Sequence, residues 1–468
     1  MVTEDLLLLY KNNIAAITDE GEIISYHDLF KFSDQLFEHI GYRCLVFVLC
    51  ANVPGSLMGY VACMSKKIVP LLLDAGMDKE ALHHLIGIYQ PEFAWLPAKL
   101  AKEFPLGKIV FERSGYSLVK LNDPTVDSLH HELALLFTTS GSTGSPKLVR
   151  VSYENLLSNA ESIASYLSIS AEERPVTVLP MNYSFGLSII NSHLLKGATL
   201  LLSDKSLMQK EFWTFIKNEK ATSISGVPYT YEMLSKLRVT RMDLPSVHTL
   251  TQAGGKLNET LCKEFATWSK LTGKSFFVMY GQTEATARMS YLPAEFAIEK
   301  MGSIGKAIPG GRLSLVDEQR ALINENEKTG ELVYEGKNVS MGYSLNRDDL
   351  HKPDENKGIL FTGDMAVRDA DGFYYIVGRK KRFIKLYGNR IGLDETEQML
   401  KEIISDCACT GEDDHMTIFI TDPEKIEDVY VHVSGRTGIN RKAFLVKVVD
   451  TIPKNNFGKI MYSKLTVA

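Results

Sequence analysis

Ten consecutive residues hold the groups a polyphosphate needs: Thr138, Thr139, Ser140, Gly141, Ser142, Thr143, Gly144, Ser145, Pro146 and Lys147. The two glycines free the backbone to turn its N–H groups inward, the hydroxyls add donors, and Lys147 supplies a positive charge. Lys147 follows Ser-Pro rather than Gly, and no Ser or Thr comes after it, so this is not a Walker loop. Taken alone, such a run also fits a surface turn. Its flanks argue for a site, because Leu133–Phe137 reads as a buried strand and a helical pattern resumes near Ser152. A second group lies downstream. Phe276–Met279 reads as a strand, and Tyr280-Gly281-Gln282-Thr283-Glu284 follows at its C-terminal end, where open α/β sheets bind ligands.

Three further stretches complete the set: Thr362-Gly363-Asp364, Gly378–Lys385 (GRKKRFIK) and Pro453–Lys459 (PKNNFGK). Together the five closely resemble, in the same order, the motifs of the adenylate-forming (AMP-binding) enzymes, the superfamily of acyl-CoA synthetases, luciferases and carrier-loading adenylation domains. One departure is Leu148, where the family usually has a glycine after the lysine. The resemblance implies a role for each match. Tyr280 stacks on adenine opposite Gly254-Gly255, with Gly281 beside it, and Thr283 hydrogen-bonds the α-phosphate. Glu284 holds Mg²⁺, a hard cation suited to carboxylate and phosphate oxygens. Asp364 grips the ribose diol with its two acceptor oxygens, Arg379 lies near the ribose, Lys381 is the inter-domain hinge, and Lys459 is the mobile catalytic lysine. The acyl pocket maps to Tyr183 and Phe185 in one turn, and to Gly226 and Tyr229 in another. Amino-acid-activating relatives commonly place an aspartate close to Ser184, but none of residues 181–188 is acidic here.

The implied reaction uses ATP and Mg²⁺ to convert a carboxylic acid to acyl-AMP and pyrophosphate. The acyl group then passes to a thiol, with coenzyme A favoured. A carrier protein's phosphopantetheine is the alternative acceptor. A nucleotide-binding protein that has lost catalysis is the third reading, and retention of Glu284 and Lys459 argues against it.

Elements to position these groups are legible along the chain. Tyr26–Ile40 and Val53–Ser65 read as helices, and Arg43–Cys50 and Ile68–Leu73 as buried strands, the alternation of an α/β fold with a mainly parallel sheet. Ser152 is the expected N-cap of a helix through Leu167, so that the loop before it feeds a helix N-terminus. Gly330–Gly336 opens a β-rich subdomain. Asp394-Glu395-Thr396-Glu397 has capping-box spacing, and the basic residues 379–382 read as a solvated turn. Met416–Ile420, Asp428–Val433 and Ala443–Val449 read as strands of a small α+β lid, with Ser434–Lys442 a short link where relatives carry a helix. The expected division is residues 1–380 for adenylation and 381–468 for the lid.

Composition excludes several other classes. A chain of 468 residues with 45% hydrophobic and 23% charged residues suits a globular protein of two or three domains. The net charge of −5 offers no general attraction to nucleic acid or anionic membrane. The six cysteines are scattered, and Cys407-Ala-Cys409 has the wrong spacing for a zinc pair, which points to a reducing compartment. His83-His84 and His130-His131 are adjacent pairs that diverge and suit solvated or capping roles. No run approaches the roughly 20 apolar residues of a membrane span, and a cytoplasmic location is expected.

Overall fold

Leu45–Cys50, Val69–Asp74 and Leu133–Thr138 are near-continuous apolar runs, and such runs form strands covered on both faces. In the computed structural model, which describes residues 2–103, 105–123, 129–138, 147–386, 389–437, 439–454 and 460–465, they are parallel neighbours at the centre of one sheet. That sheet runs Gly342–Ser344, Leu148–Ser152, Leu133–Thr138, Val69–Asp74, Leu45–Cys50, Phe93–Pro97, Tyr116–Lys120 and Lys108–Arg113. A second sheet has a parallel core ordered Ser275–Tyr280, Thr249–Gln252, Ser223–Gly226, Pro175–Val176, Leu200–Leu202 and Ile14–Thr18. Helices fill the layers. Tyr26–Ile40 buries Leu29, Phe32, Leu36 and Ile40 along one stripe; Ser25 and Asp28 form a capping box at its start, and left-handed Gly41 ends it.

The described residues form two compact units, Met1–Arg312 with Tyr334–Leu360, and Leu313–Val333 with Phe361–Ala468. The expected boundary at residue 381 falls inside the second. That unit holds most of a four-stranded sheet (Arg312–Val316, Gly330–Glu335, Ile359–Arg368, Tyr374–Arg379) and a C-terminal layer of three strands with helices Leu393–Leu400 and Ile426–Thr437. Ile384, Leu393, Leu400, Ile418, Val429 and Val433 share one core there.

Four expectations need correction. First, the expected phosphate loop does not feed a helix directly: Leu148–Ser152 is a fully buried strand antiparallel to Leu133–Thr138, so the loop joins two strands. The expected cap is real but lies past that strand, where Ser152 Oγ accepts from the Asn155 N–H at 3.1 Å and Asn155 Oδ1 accepts from the Ser152 N–H at 2.8 Å. Second, Asp428–Val433 is not a strand but part of the helix Ile426–Thr437. Its alternating valines suggest period two, yet only Val429 and Val433, four apart, are buried, while Val431 is 59% exposed. The lid therefore has the helix that the sequence reading omits. Third, Gly392 is the N-cap of Leu393–Leu400, with no side-chain cap. The carboxylates of Asp394 and Glu397 turn instead to Arg382, at 2.5 and 2.6 Å. Fourth, the basic turn is consequently not all solvated, since the Arg382 side chain is only 13% exposed.

Candidate active site

Three adjacent parallel strands end together. Gly226 pairs in register with Gln252, and Gln252 with Val278, so Gly226, Gly254-Gly255 and Tyr280-Gly281 gather at the C-terminal edge of one sheet. The turn carrying Tyr183 follows the neighbouring strand Pro175–Val176. Gly254 has a left-handed backbone (φ +83°), and a Cβ there would lie 2.7 Å from Tyr183 Oη. The tyrosine therefore rests on the glycine, and burial pushes its phenol up to about 12. Gly281 is constrained more severely, because a Cβ would lie 1.7 Å from the Ala287 carbonyl oxygen. This tight return holds the Thr283–Ala285 turn against the strand end.

Thr283 Oγ1 lies 3.2 Å from Ser184 Oγ, joining this turn to the one bearing Tyr183 and Phe185. Phe185 is buried and meets Tyr183 edge-on, with ring centroids 6.3 Å apart. Gly226 is buried against Thr230, whereas Tyr229 is 57% exposed. Gln282 donates to Tyr280 Oη at 3.3 Å.

Tyr343, which no sequence motif marks, connects two of the expected groups. It lies on Gly342–Ser344, an edge strand paired with Leu148–Ser152. The Lys147 ammonium sits over its ring, 3.3 Å from the centroid, and its hydroxyl donates to Glu284 Oε1 at 2.8 Å. Burial, and then the Glu284 charge, push the phenol up, so the tyrosine stays a donor to that carboxylate. Among the described residues only one oxygen of Glu284 is engaged by a side chain, leaving acceptor capacity for a hard cation such as Mg²⁺. Thr138 ends the strand entering the loop. Thr139, Ser140, Gly141, Ser142, Thr143, Gly144 and Lys459 lie outside the described residues.

Asn338 braces the segment after Glu284. Its Nδ2 donates to the Ala285 and Arg288 carbonyls at 2.9 and 3.0 Å, its own carbonyl accepts from Thr286 Oγ1 at 2.7 Å, and Tyr334 donates to its Oδ1. Thr286 needs such support, because a β-branched residue at φ +67° is strained.

In the second unit, Asp364 and Arg379 are cross-strand partners, 3.5 Å from Nε to Oδ1, with Asp364 largely buried. The partners of the basic residues around Lys381 divide in sequence at that position. Arg379 pairs with Asp364 and Lys380 with Glu331, both upstream. Arg382 bonds Asp394, Glu397 and the Cys409 carbonyl and lies over the Tyr462 ring, all downstream. Lys381 itself is in the short turn Lys380–Arg382.

The model of the AMP-binding enzyme family matches residues 9–344. A 2-succinylbenzoate–CoA ligase of Bacillus pumilus is 28% identical over 345 residues, which span 72% of this chain and 69% of the relative. A long-chain-fatty-acid–CoA ligase of Escherichia coli O6:H1 is 31% identical over 358 residues, 71% of this chain but only 61% of the relative. The solved o-succinylbenzoate CoA synthetase of Bacillus subtilis, in complex with its acyl-adenylate intermediate, has the same fold. It superposes with a TM-score of 0.79 over 99% of this chain and 98% of its own, at 22% identity. Among the described residues no helix is long and apolar enough to cross a membrane.

Proposed function

Because this chain belongs to the AMP-binding enzyme family, the adenylate-forming ligases, we propose that it activates a small carboxylic acid with ATP and passes the acyl group to coenzyme A in the cytoplasm. The observation that supports this most is the bridge from Lys147 through Tyr343 to Glu284, which ties the lysine of the phosphate loop to the acid of the Tyr280–Glu284 motif. The named relatives, ligases of 2-succinylbenzoate and of long-chain fatty acids, support the thioester product.

A carboxylate is a poor acyl donor because its leaving group would be oxide. Attack of the carboxylate oxygen on the α-phosphorus forms the acyl–phosphate bond, breaks the bond to the β-phosphate, and releases pyrophosphate without proton transfer. The difficulty is bringing anion to anion. Thr283 is the donor placed for the α-phosphate, and Lys147 and residues 138–144 are the donors for the others. Glu284 is the residue to hold Mg²⁺, which when bound neutralises phosphate charge. Tyr280 and Gly254-Gly255 flank the adenine, Asp364 and Arg379 hold the ribose, and Tyr183, Phe185, Gly226 and Tyr229 line the acyl pocket. Lys459, on the lid of residues 381–468, bridges carboxylate and α-phosphate. In the second half the thiol sulfur attacks the acyl carbon, its proton goes to solvent, and AMP leaves.

The direct test is mass analysis of products across a panel of acids. AMP, pyrophosphate and an acyl-CoA are expected; ADP and phosphate would defeat the chemistry, and acylation of a holo carrier protein in place of coenzyme A would reassign the acceptor. Free α-amino acids should be exchanged no better than their deaminated analogues, since residues 181–188 hold no acid to receive an ammonium. Robust exchange with one amino acid, and none with its analogue, would sink that expectation.

Tyr343→Phe isolates the bridge. It keeps the ring under Lys147 and removes only the hydroxyl on Glu284. A hydrogen bond to a charged group contributes about 1.5–3 kcal/mol, so pyrophosphate exchange at limiting Mg²⁺ should fall at least tenfold, roughly, with most of the loss recovered at high Mg²⁺. An unchanged Mg²⁺ dependence would show that Tyr343 does not orient Glu284.

A further inference from the structure

Arg288 is 2% exposed, and among the described residues no carboxylate pairs with it. Its Nη1 donates to Tyr166 Oη at 3.0 Å and to the Met279 sulfur at 3.2 Å, and its Cζ lies 5.0 Å from the Phe185 ring centroid. Nε is buried and has no acceptor among the described residues. A guanidinium has five N–H donors and cannot shed its proton, so burying one against a phenol, a thioether and an aromatic face is expensive. Other buried arginines of this protein are treated differently: Arg150 meets Glu355 and a set of carbonyls, and Arg347 meets Glu92. The surroundings of Arg288 are also apolar, since Phe185 and Met279 belong to one hydrophobic cluster with Ile189 and Val227.

Its position relates it to the reacting end of the pocket. Arg288 follows Glu284 by four residues and sits against Phe185, whose neighbour Ser184 touches Thr283. The cation is therefore on the acyl side of the α-phosphate donor. The nearby His193 offers no compensating charge. Burial holds it down to about 4, with Arg288 adding to the effect, and its Nδ1 is engaged by the Ile189 carbonyl at 2.7 Å.

We infer that Arg288 receives a second, unreacted carboxylate on the acid substrate, so that the preferred substrate is a dicarboxylic acid of which one end is adenylated. This rests on the adenylation reading above and narrows its substrate class. It also accounts for a pocket without an acidic residue in positions 181–188, because the recognised group is an anion.

The test compares dicarboxylic acids of three to eight carbons, and phthalate, with their monomethyl esters and with monocarboxylic acids of equal length in ATP–pyrophosphate exchange. The wild-type protein should favour one diacid over its ester by about 100-fold, the scale of truncating one partner of a buried charge pair. Arg288→Met should abolish that preference, with AMP binding retained as the check on folding. Arg288→Lys keeps the charge without the fork, so it should raise the diacid KM while leaving the ATP KM unchanged; this variant decides the matter if the methionine variant does not fold. Equal or better exchange with monocarboxylic acids, or a diacid preference unchanged in both variants, overturns the anion site and leaves adenylation standing. Absence of exchange with every acid overturns adenylation instead. The anion site is then judged by binding alone: a thermal shift with diacid that disappears in the Arg288 variants supports it, and no such shift overturns it.

Discussion

Lys459→Ala is expected to slow acyl-adenylate formation by roughly 10²–10³ while leaving thioester formation from synthetic acyl-AMP near the wild-type rate. The reason is a division of labour. In the proposed mechanism the lysine meets the carboxylate and α-phosphate oxygens as charge reorganises between them, and it makes no demand on the thiol step. A contact made mainly in the transition state lowers kcat more than it alters ground-state binding. Lys381→Pro should do the reverse. A fixed φ in the Lys380–Arg382 turn is expected to hinder rotation at the proposed hinge and to spare the proposed ATP-binding residues that precede it in sequence. Overall turnover falls in both variants, so the partial reactions must be measured separately, acyl-AMP by quench and thioester from supplied acyl-AMP. Loss of both halves to the same extent in a folded Lys459→Ala protein would rule out the two-conformation scheme.

The largest effect on stability is expected at Arg150. Its side chain is fully buried; it pairs with Glu355 at 2.5 Å and donates to the carbonyls of Met341, Tyr343, Lys352 and Pro353. It fastens the strand that begins immediately after Lys147 to the segment that carries Tyr343. Arg150→Met fills much of the volume but leaves these carbonyls without their donor. Breaking a buried pair from one side costs about 3–5 kcal/mol, and the lower end applies here because Glu355 is half exposed and can rehydrate. Glu355→Gln should cost about 1 kcal/mol, since Arg150 keeps its carbonyl acceptors. Urea unfolding monitored for the first unit would measure both. If Arg150→Met were no more costly than Glu355→Gln, the carbonyl cluster would not be what holds this strand.

The sequence announces the groups proposed to touch ligand better than the groups that hold them. Tyr280–Glu284 and Thr362–Asp364 are legible because each is a short run with its own chemistry, the first at the end of a strand and the second within one. Tyr343, Asn338 and Arg150 reach partners between 50 and 205 residues away, and nothing local distinguishes them from an ordinary strand tyrosine, loop asparagine or surface arginine; among the described residues their one short-range side-chain bond is from Tyr334 to Asn338. Arg288 is hidden in the same way; an arginine four residues past the motif reads as solvated until its surroundings are known. Misread elements have a parallel cause. Leu148–Val151 is too short to compete with the strong cap signal at Ser152, and the valines of Asp428–Val433 favour a strand by local propensity while their burial obeys a helical spacing. Asp394 and Glu397 have the spacing of a cap, but a buried guanidinium is a stronger claim on a carboxylate than an exposed N–H.

The division of ion pairs at Lys381 has a kinetic corollary. Turning the backbone at that residue ruptures none of the pairs made by Arg379, Lys380 or Arg382, because each is internal to the stretch on its own side. On the proposed hinge at Lys381, the barrier to rotation owes nothing to separating those charges. Added salt should be a poor accelerator of the step between the two half-reactions, whereas a viscogen such as glycerol, which drags on a moving body, should slow it in proportion.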